Sequence, residues 1–567
     1  MKEWSLRLLK ASLSPHDLRL DLARQWLQEC IRNHHDCRST HQKVMPTRLI
    51  KISKPANPRY LETTIRLVEL DPSANVNYAA LSYCWGMSQK TVLTSDSISD
   101  MRDNIQLDTL SQTIKETVLL CLKLEIQYLW VDALCILQDS ATDWHSEAAN
   151  MSTVYGNAFV TIKAAASDNS NGGLFRSQPQ HLPELAPVMV RCLAPKFDNI
   201  KHAAIHLQNV STEREPLETR AWTYQEDLLS PRTLTYGSRE MWWECHSAMR
   251  SDGGRQIIES HSVSGLPKPL RTTRPAQFPN VQPDETATTR ANWIYILTEY
   301  GVRHITYPAD RLPALSGIAK VFQASLPRDR YLAGLWESHL PRSLLWHVSA
   351  PAVSTGFSRR APSWSWGSIG ELQPEAYITF ADESRFNNVC CEYVSSKIEY
   401  RGANLYGRIK QGTLTLRAPL LAAWRVYWPT EASGPRHKLY VKPADYDKDQ
   451  KQVKEDAARS SHKQDSRETF VQYEYNRLGK FNADAVLPED QDTFLETWLL
   501  FILSSSLTPG DMSRSSYGLV LEKVPSSSME GSPSDVLGEV AVTTFRRIGT
   551  FSDAYFNLPP YHTVTIE

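Results

Sequence analysis

Between Tyr78 and Ala165, short apolar runs alternate with amphipathic stretches, and this alternation restricts the fold more than any other feature of the chain. "YAALSY" (78–83), "YLWVD" (128–132) and "NAFVTIKAA" (157–165) read as strands. Their apolar runs are nearly continuous, as in strands buried on both faces. Residues 111–125 place Ile114, Val118, Cys121 and Leu122 on one helical face, with Ser111 as the expected N-cap. A second helix is expected between Asp139 and Tyr155, where Ser140 and Asp143 fit the Ser-x-x-Asp capping pattern. Strand, helix, strand, helix, strand predicts a parallel sheet with helices packed on its faces. Trp130, inside a covered strand, is expected in the core.

"TRLIKI" and "TTIRLVEL", between Thr47 and Leu70, supply two earlier strands, and "LARQWLQECIRNHHDC" an earlier helix with Leu22, Trp26 and Cys30 four apart. Residues 217–245 read as a helix and a hairpin, residues 250–290 as a long surface loop, and residues 291–323 as two helical pieces. Beyond Leu344 the texture turns to strands: "APSWSWGS", which alternates Ser and Trp, then "GTLTLRAPLL", "YGLVLEKV" and "GEVAVTTFRRIGTF". The charge-dense tract from Asp445 to Glu468 is expected to be disordered. The fold class is α/β, in four segments. Residues 1–45 are helical, 46–250 an α/β domain, 251–343 a loop-rich and helical connector, and 344–567 β-rich with an insertion at 445–468.

Lysine and arginine total 62 against 63 aspartates and glutamates, so overall charge directs the chain to neither nucleic acid nor an anionic membrane. "TWLLFIL" (497–503) is too short to span a bilayer, and the N-terminus lacks the apolar core of a signal peptide. Nine scattered cysteines do not form a disulfide framework. A cytoplasmic protein is expected. Cys30, His34, His35 and Cys37 are metal-binding residue types, but their spacing is not that of paired Cys-x-x-Cys units, so no metal is expected. No cofactor is expected either.

Three blocks carry a resemblance: "YAALSYCWG", "YLWVDALCILQDSATDWHSEAANMSTVYGNAFVTIKAAAS" and "RAWTYQEDLLSPRTLTYGSREMWWEC". Together they resemble the fungal heterokaryon-incompatibility (HET) domain family, placing a HET domain at 46–250. The resemblance implies an effector of fungal non-self recognition and programmed cell death, acting with itself or with another incompatibility protein. The fold also admits an enzyme or accessory protein of a secondary-metabolite pathway, or a non-catalytic signalling adaptor.

HET domains are similar to TIR domains, some of which cleave NAD with a glutamate one helical turn after a tryptophan, in a Trp-Cys-x-x-Glu arrangement. Trp144 and Glu147 repeat that spacing, with His145 where the pattern has cysteine. The resemblance therefore implies NAD glycohydrolase-like activity, with NAD as substrate and Glu147 and Asp132 as the catalytic carboxylates. An oxocarbenium-like state at the ribose needs a nearby carboxylate. Ser82, Trp85, Gly86 and Trp144 are the nucleotide-binding candidates, because open α/β sheets bind ligands at the carboxyl ends of their strands. Arg220, Gln225 and Glu226 complete the candidate set. Against this stands a structural role for Glu147, beside the apolar stripe Trp144, Ala148, Met151, Tyr155 and paired with an arginine such as Arg220. Cys84 or Cys135 with His145 lacks a third orienting group for nucleophilic chemistry.

Overall fold

The computed structural model describes residues 15–37, 44–53, 64–71, 74–87, 89–175, 188–190, 203–205, 214–252, 256–257, 285–349, 360–370, 372, 376–380, 388–402, 404–428, 436–441, 480–483, 494–504, 514–524, 543–556 and 559–567. The tract at 445–468 and most of the loop at 250–290 lie outside them. The chain divides into two compact units, Met1–Arg274 and Pro275–Glu567.

The first unit is built on a mixed sheet. Its strands are β1 (Leu49–Ser53), β2 (Thr64–Val68), β3 (Tyr78–Ser82), β4 (Tyr128–Trp130) and β5 (Val160–Lys163). A separate small pair is β6 (Val188–Val190) and β7 (Ala203–Ile205). The main sheet continues with β8 (Arg232–Tyr236), β9 (Met241–Cys245), β10 (Met249–Ser251) and β11 (Gln256–Ile257). The order is β11-β10-β9-β8-β5-β3-β4-β1-β2. The four central strands, β8, β5, β3 and β4, are parallel, as the alternation predicts. The flanks are antiparallel: β2 and β1 on one side, the β8–β9 hairpin and its extensions on the other.

The helices that bear on the core and the site are α1 (Pro15–Asn33), α2 (Gln112–Lys123), the one-turn α3 (Asp132–Cys135), α4 (Ala141–Asn157) and α5 (Ala221–Leu229); a further short helix spans Ile98–Asp103. Every residue of β3 and β5 is buried, and Trp130 has no exposed surface. Helix α1 joins the same core through Leu20, Ala23, Trp26, Leu27 and Cys30.

Three local expectations are corrected. Strand β4 stops at Trp130, and Asp132 opens α3 with its own carboxylate accepting the Ala133 N–H at 2.7 Å. Ser111 flanks α2 without a side-chain capping bond. Ser140 does cap α4, accepting the Asp143 N–H, but the Asp143 carboxylate turns away to Arg48 and the Leu137 N–H.

The second unit holds helices α6 (Glu285–Gly301) and α7 (Pro313–Phe322) and a large, mostly antiparallel sheet. Five of its strands are β12 (Ile409–Trp428), β13 (Phe494–Ser504), β14 (Arg514–Lys523), β15 (Thr544–Phe556) and β16 (Tyr561–Ile566). They close a ring. The first part of β12 pairs with β16 and its later part with β13, which leads through β14 and β15 back to β16. "TWLLFIL" is therefore a central barrel strand, with Leu499 to Leu503 fully buried. "APSWSWGS" is not a strand. Ser365 bonds the backbone instead, accepting the Gly367 N–H at 3.0 Å, while Trp364 and Trp366 are both buried. No described helix is long and apolar enough to cross a membrane.

Candidate functional site at the carboxyl edge of the parallel strands

Strands β3 and β4 end side by side, and the chain that leaves them carries Tyr83–Gly86 and Asp132. The start of α5 arrives at the same edge, with Arg220 preceding the helix and donating to the Tyr83 carbonyl at 2.9 Å. Three of the sequence candidates thus meet: Asp132, Arg220 and, further along α5, Glu226.

Asp132 is half-buried. Trp85 Nε1 donates to one of its oxygens at 2.8 Å, and the Ala133 N–H to the other at 2.7 Å. Burial pushes its carboxyl up from 3.8 to about 6, against these donors, the Arg220 cation and the Tyr83 hydroxyl. Glu226 is buried on α5. Burial, with the negative charge of Asp132, raises its carboxyl from 4.5 to about 7, while the Ser82 and Tyr155 hydroxyls and Arg220 act to lower it. Two raised carboxyls thus act near one guanidinium, an arrangement found both in proton-transfer sites and in buried ion-pair networks.

Gly86 owes its identity to packing. It sits at φ +59°, and a Cβ there would lie 2.5 Å from Asn169 Cβ. Trp85 is held by Asp132 and half-buried, and Ser82 is buried at the end of β3, its hydroxyl among the groups that lower the Glu226 carboxyl. Trp144 is half-buried and packs edge-on against Trp222 of α5, with ring centroids 6.3 Å apart. Gln225 is buried in α5.

Glu147 is placed differently from the expected cleft-facing carboxylate. It lies on the buried stripe of α4 itself, with Met151, Val154 and Tyr155, and is 3% exposed. The Thr47 hydroxyl donates to it at 2.6 Å, and Arg48, not Arg220, stands 3.8 Å away. Arg48 is itself buried, gives two 2.6 Å bonds to Asp143 and donates to the Cys135 carbonyl at 2.7 Å. This closed set ties the start of β1 to α3 and α4. His145 is exposed and bonds the Ala141 carbonyl within its own helix. Burial drives the Cys135 thiol up to about 12 and raises that of Cys84, opposite to what a nucleophile needs. Metal-ligating side chains converge elsewhere, beside α1.

Residues 78–226 match the family model for heterokaryon incompatibility protein (HET). The chain carries a HET domain. The matched segment begins at the first residue of β3 and ends on Glu226, so every residue of the edge cluster falls within this HET segment. No curated protein and no solved structure matches the chain. The sequence pointed to the glutamate at the Trp-x-x-Glu spacing. The signal for Glu226 was quieter: a carboxylate four residues after Trp222 on an otherwise buried helix.

Proposed function

We propose that the chain is a heterokaryon-incompatibility-type effector whose HET domain hydrolyses the nicotinamide–ribose bond of NAD at the Asp132–Glu226 pair. The observation that carries this reading is the pair itself: two carboxyls raised toward neutrality beside Arg220, at the sheet edge where α/β folds bind nucleotides. In this reading the roles follow from the two acidities. Near pH 7, Asp132 is mostly ionised and stabilises the oxocarbenium-like carbon as the C–N bond breaks and its electron pair leaves with nicotinamide. Glu226, half-ionised, takes the proton from the incoming water, so that water and NAD give nicotinamide, ADP-ribose and a proton. Arg220 faces the substrate's phosphates.

The test is nicotinamide release from NAD by the purified full chain, with cellular NAD and growth followed on overexpression in a filamentous fungus. Release, accompanied by loss of NAD and arrest, supports the proposal. A folded protein that releases no nicotinamide and leaves cellular NAD intact overturns it.

A further inference from the structure

The spacing of Cys30, His34, His35 and Cys37 argued against a metal, and of these four the fold gathers three ligands, Cys30, His34 and Cys37. The fold supplies the fourth. Helix α1 ends at Asn33, and a turn carries the chain back, with the His34 N–H on the Cys30 carbonyl at 3.1 Å and the Cys37 N–H on the His34 carbonyl at 3.2 Å. Opposite them stands Cys245, the last residue of β9, fixed by its N–H on the Ala248 carbonyl at 2.9 Å. The three sulfurs and one imidazole nitrogen all lie within 4.8 Å of one another. His34 Nδ1 is 3.3 Å from Cys245 Sγ. A tetrahedral zinc ion, with Zn–S about 2.3 Å and Zn–N about 2.0 Å, holds its ligand atoms roughly 3.5–3.8 Å apart. The group therefore needs only small side-chain adjustments to close on an ion.

The surroundings fit a buried anionic centre. Three thiolates and one Zn²⁺ leave a net charge of −1. Arg232 is 7% exposed and donates from Nε to Cys30 Sγ at 3.2 Å, while its other nitrogens reach the Cys37 carbonyl at 2.6 Å and the Phe159 carbonyl at 3.2 Å. The Ser247 hydroxyl lies 3.8 Å from Cys37 Sγ. Hydrogen bonds onto ligand sulfurs orient and stabilise thiolate sites. A disulfide would use two of the sulfurs and leave the third, with the imidazole, unexplained. Soft sulfur and imidazole donors select zinc over magnesium or calcium.

We propose that Cys30, His34, Cys37 and Cys245 bind one structural zinc ion that fastens α1 to the β8–β9 hairpin. With four protein ligands the coordination shell is closed, so the ion serves stability and not catalysis. Binding releases the protons of the three thiols.

The experiment is elemental analysis of the purified full chain, combined with thermal unfolding before and after chelation. About one zinc per chain is expected, lost in Cys37→Ser and Cys245→Ser. The chelator should lower the Tm, and added zinc should restore it. Should the cysteine variants fail to fold, His34, which is half-buried, provides the second arm. His34→Ala should bind zinc more weakly, whereas His34→Cys should retain it. Metal-free wild-type protein that takes up no zinc and whose Tm ignores the chelator overturns the proposal. So does a disulfide between two of these cysteines in the unreduced protein, or zinc undiminished in the variants.

Discussion

The first unit contains two arginine-centred acidic clusters, and they differ in how the cation is used. Arg48 is bonded directly to its neighbours: Asp143 takes two bonds, the Cys135 carbonyl a third, and Glu147 sits alongside with the Thr47 hydroxyl. At the sheet edge, Arg220 gives its described hydrogen bond to a backbone carbonyl and acts on Asp132 and Glu226 through space. The first arrangement locks three segments together. The second leaves two carboxyls only partly compensated and titrating near pH 6–7. A carboxylate beside an arginine is thus no sign of chemistry by itself. The way the charge is satisfied separates a clamp from a site.

The largest effect that would break this contrast is on stability. Arg48→Ala leaves the buried Glu147 and the half-buried Asp143 without their cation, and should cost about 3–5 kcal/mol in urea unfolding. Arg220→Ala should cost about 1–3 kcal/mol, the worth of one charged hydrogen bond to a buried carbonyl. Equal costs would mean that both clusters are clamps.

Next comes the pH dependence. Glu226 holds its proton to about pH 7 when folded, whereas the unfolded carboxyl releases it near 4.5. Folded protein therefore binds the extra proton between those values. The contribution is complete below pH 4.5 and is lost as pH rises to 7. Wild type should lose about 2–3 kcal/mol across that window from this group, and Glu226→Gln should lose correspondingly less. Burial also raises the Glu147 carboxyl, against the Thr47 hydroxyl and Arg48, so Glu147→Gln should flatten the profile in the same direction. Parallel pH profiles for wild type and Glu226→Gln would show that Glu226 titrates normally.

A smaller effect is expected at Ser82. Its hydroxyl lowers the Glu226 carboxyl, so Ser82→Ala should move the pH dependence of activity to the alkaline side, at a stability cost of about 1 kcal/mol. An unmoved profile would separate Ser82 from the pair.

The parallel centre of the sheet was legible because β3, β4 and β5 are covered on both faces and leave an uninterrupted apolar signature. The antiparallel flanks were not, since their direction is set by long-range pairing. "APSWSWGS" misled because serine hydroxyls bonding the backbone produce the same period as a strand. Glu147 drew attention through local spacing, yet its partners, Thr47 and Arg48, lie about a hundred residues away along the chain. Glu226 becomes conspicuous only when α5 is laid against the ends of β3 and β4. Cys245 is separated from Cys37 by the whole HET segment, and only the fold brings it back.

The most direct measurement is the rate of nicotinamide release from NAD by wild type, Glu147→Gln and Glu226→Gln, each normalised to folded protein. Glu147→Gln should keep the wild-type rate per folded molecule, and Glu226→Gln should lose about 10²–10⁴-fold, the usual contribution of a positioned acid–base group. A folded Glu147→Gln that loses the activity while Glu226→Gln keeps it would contradict the assignment of the two clusters.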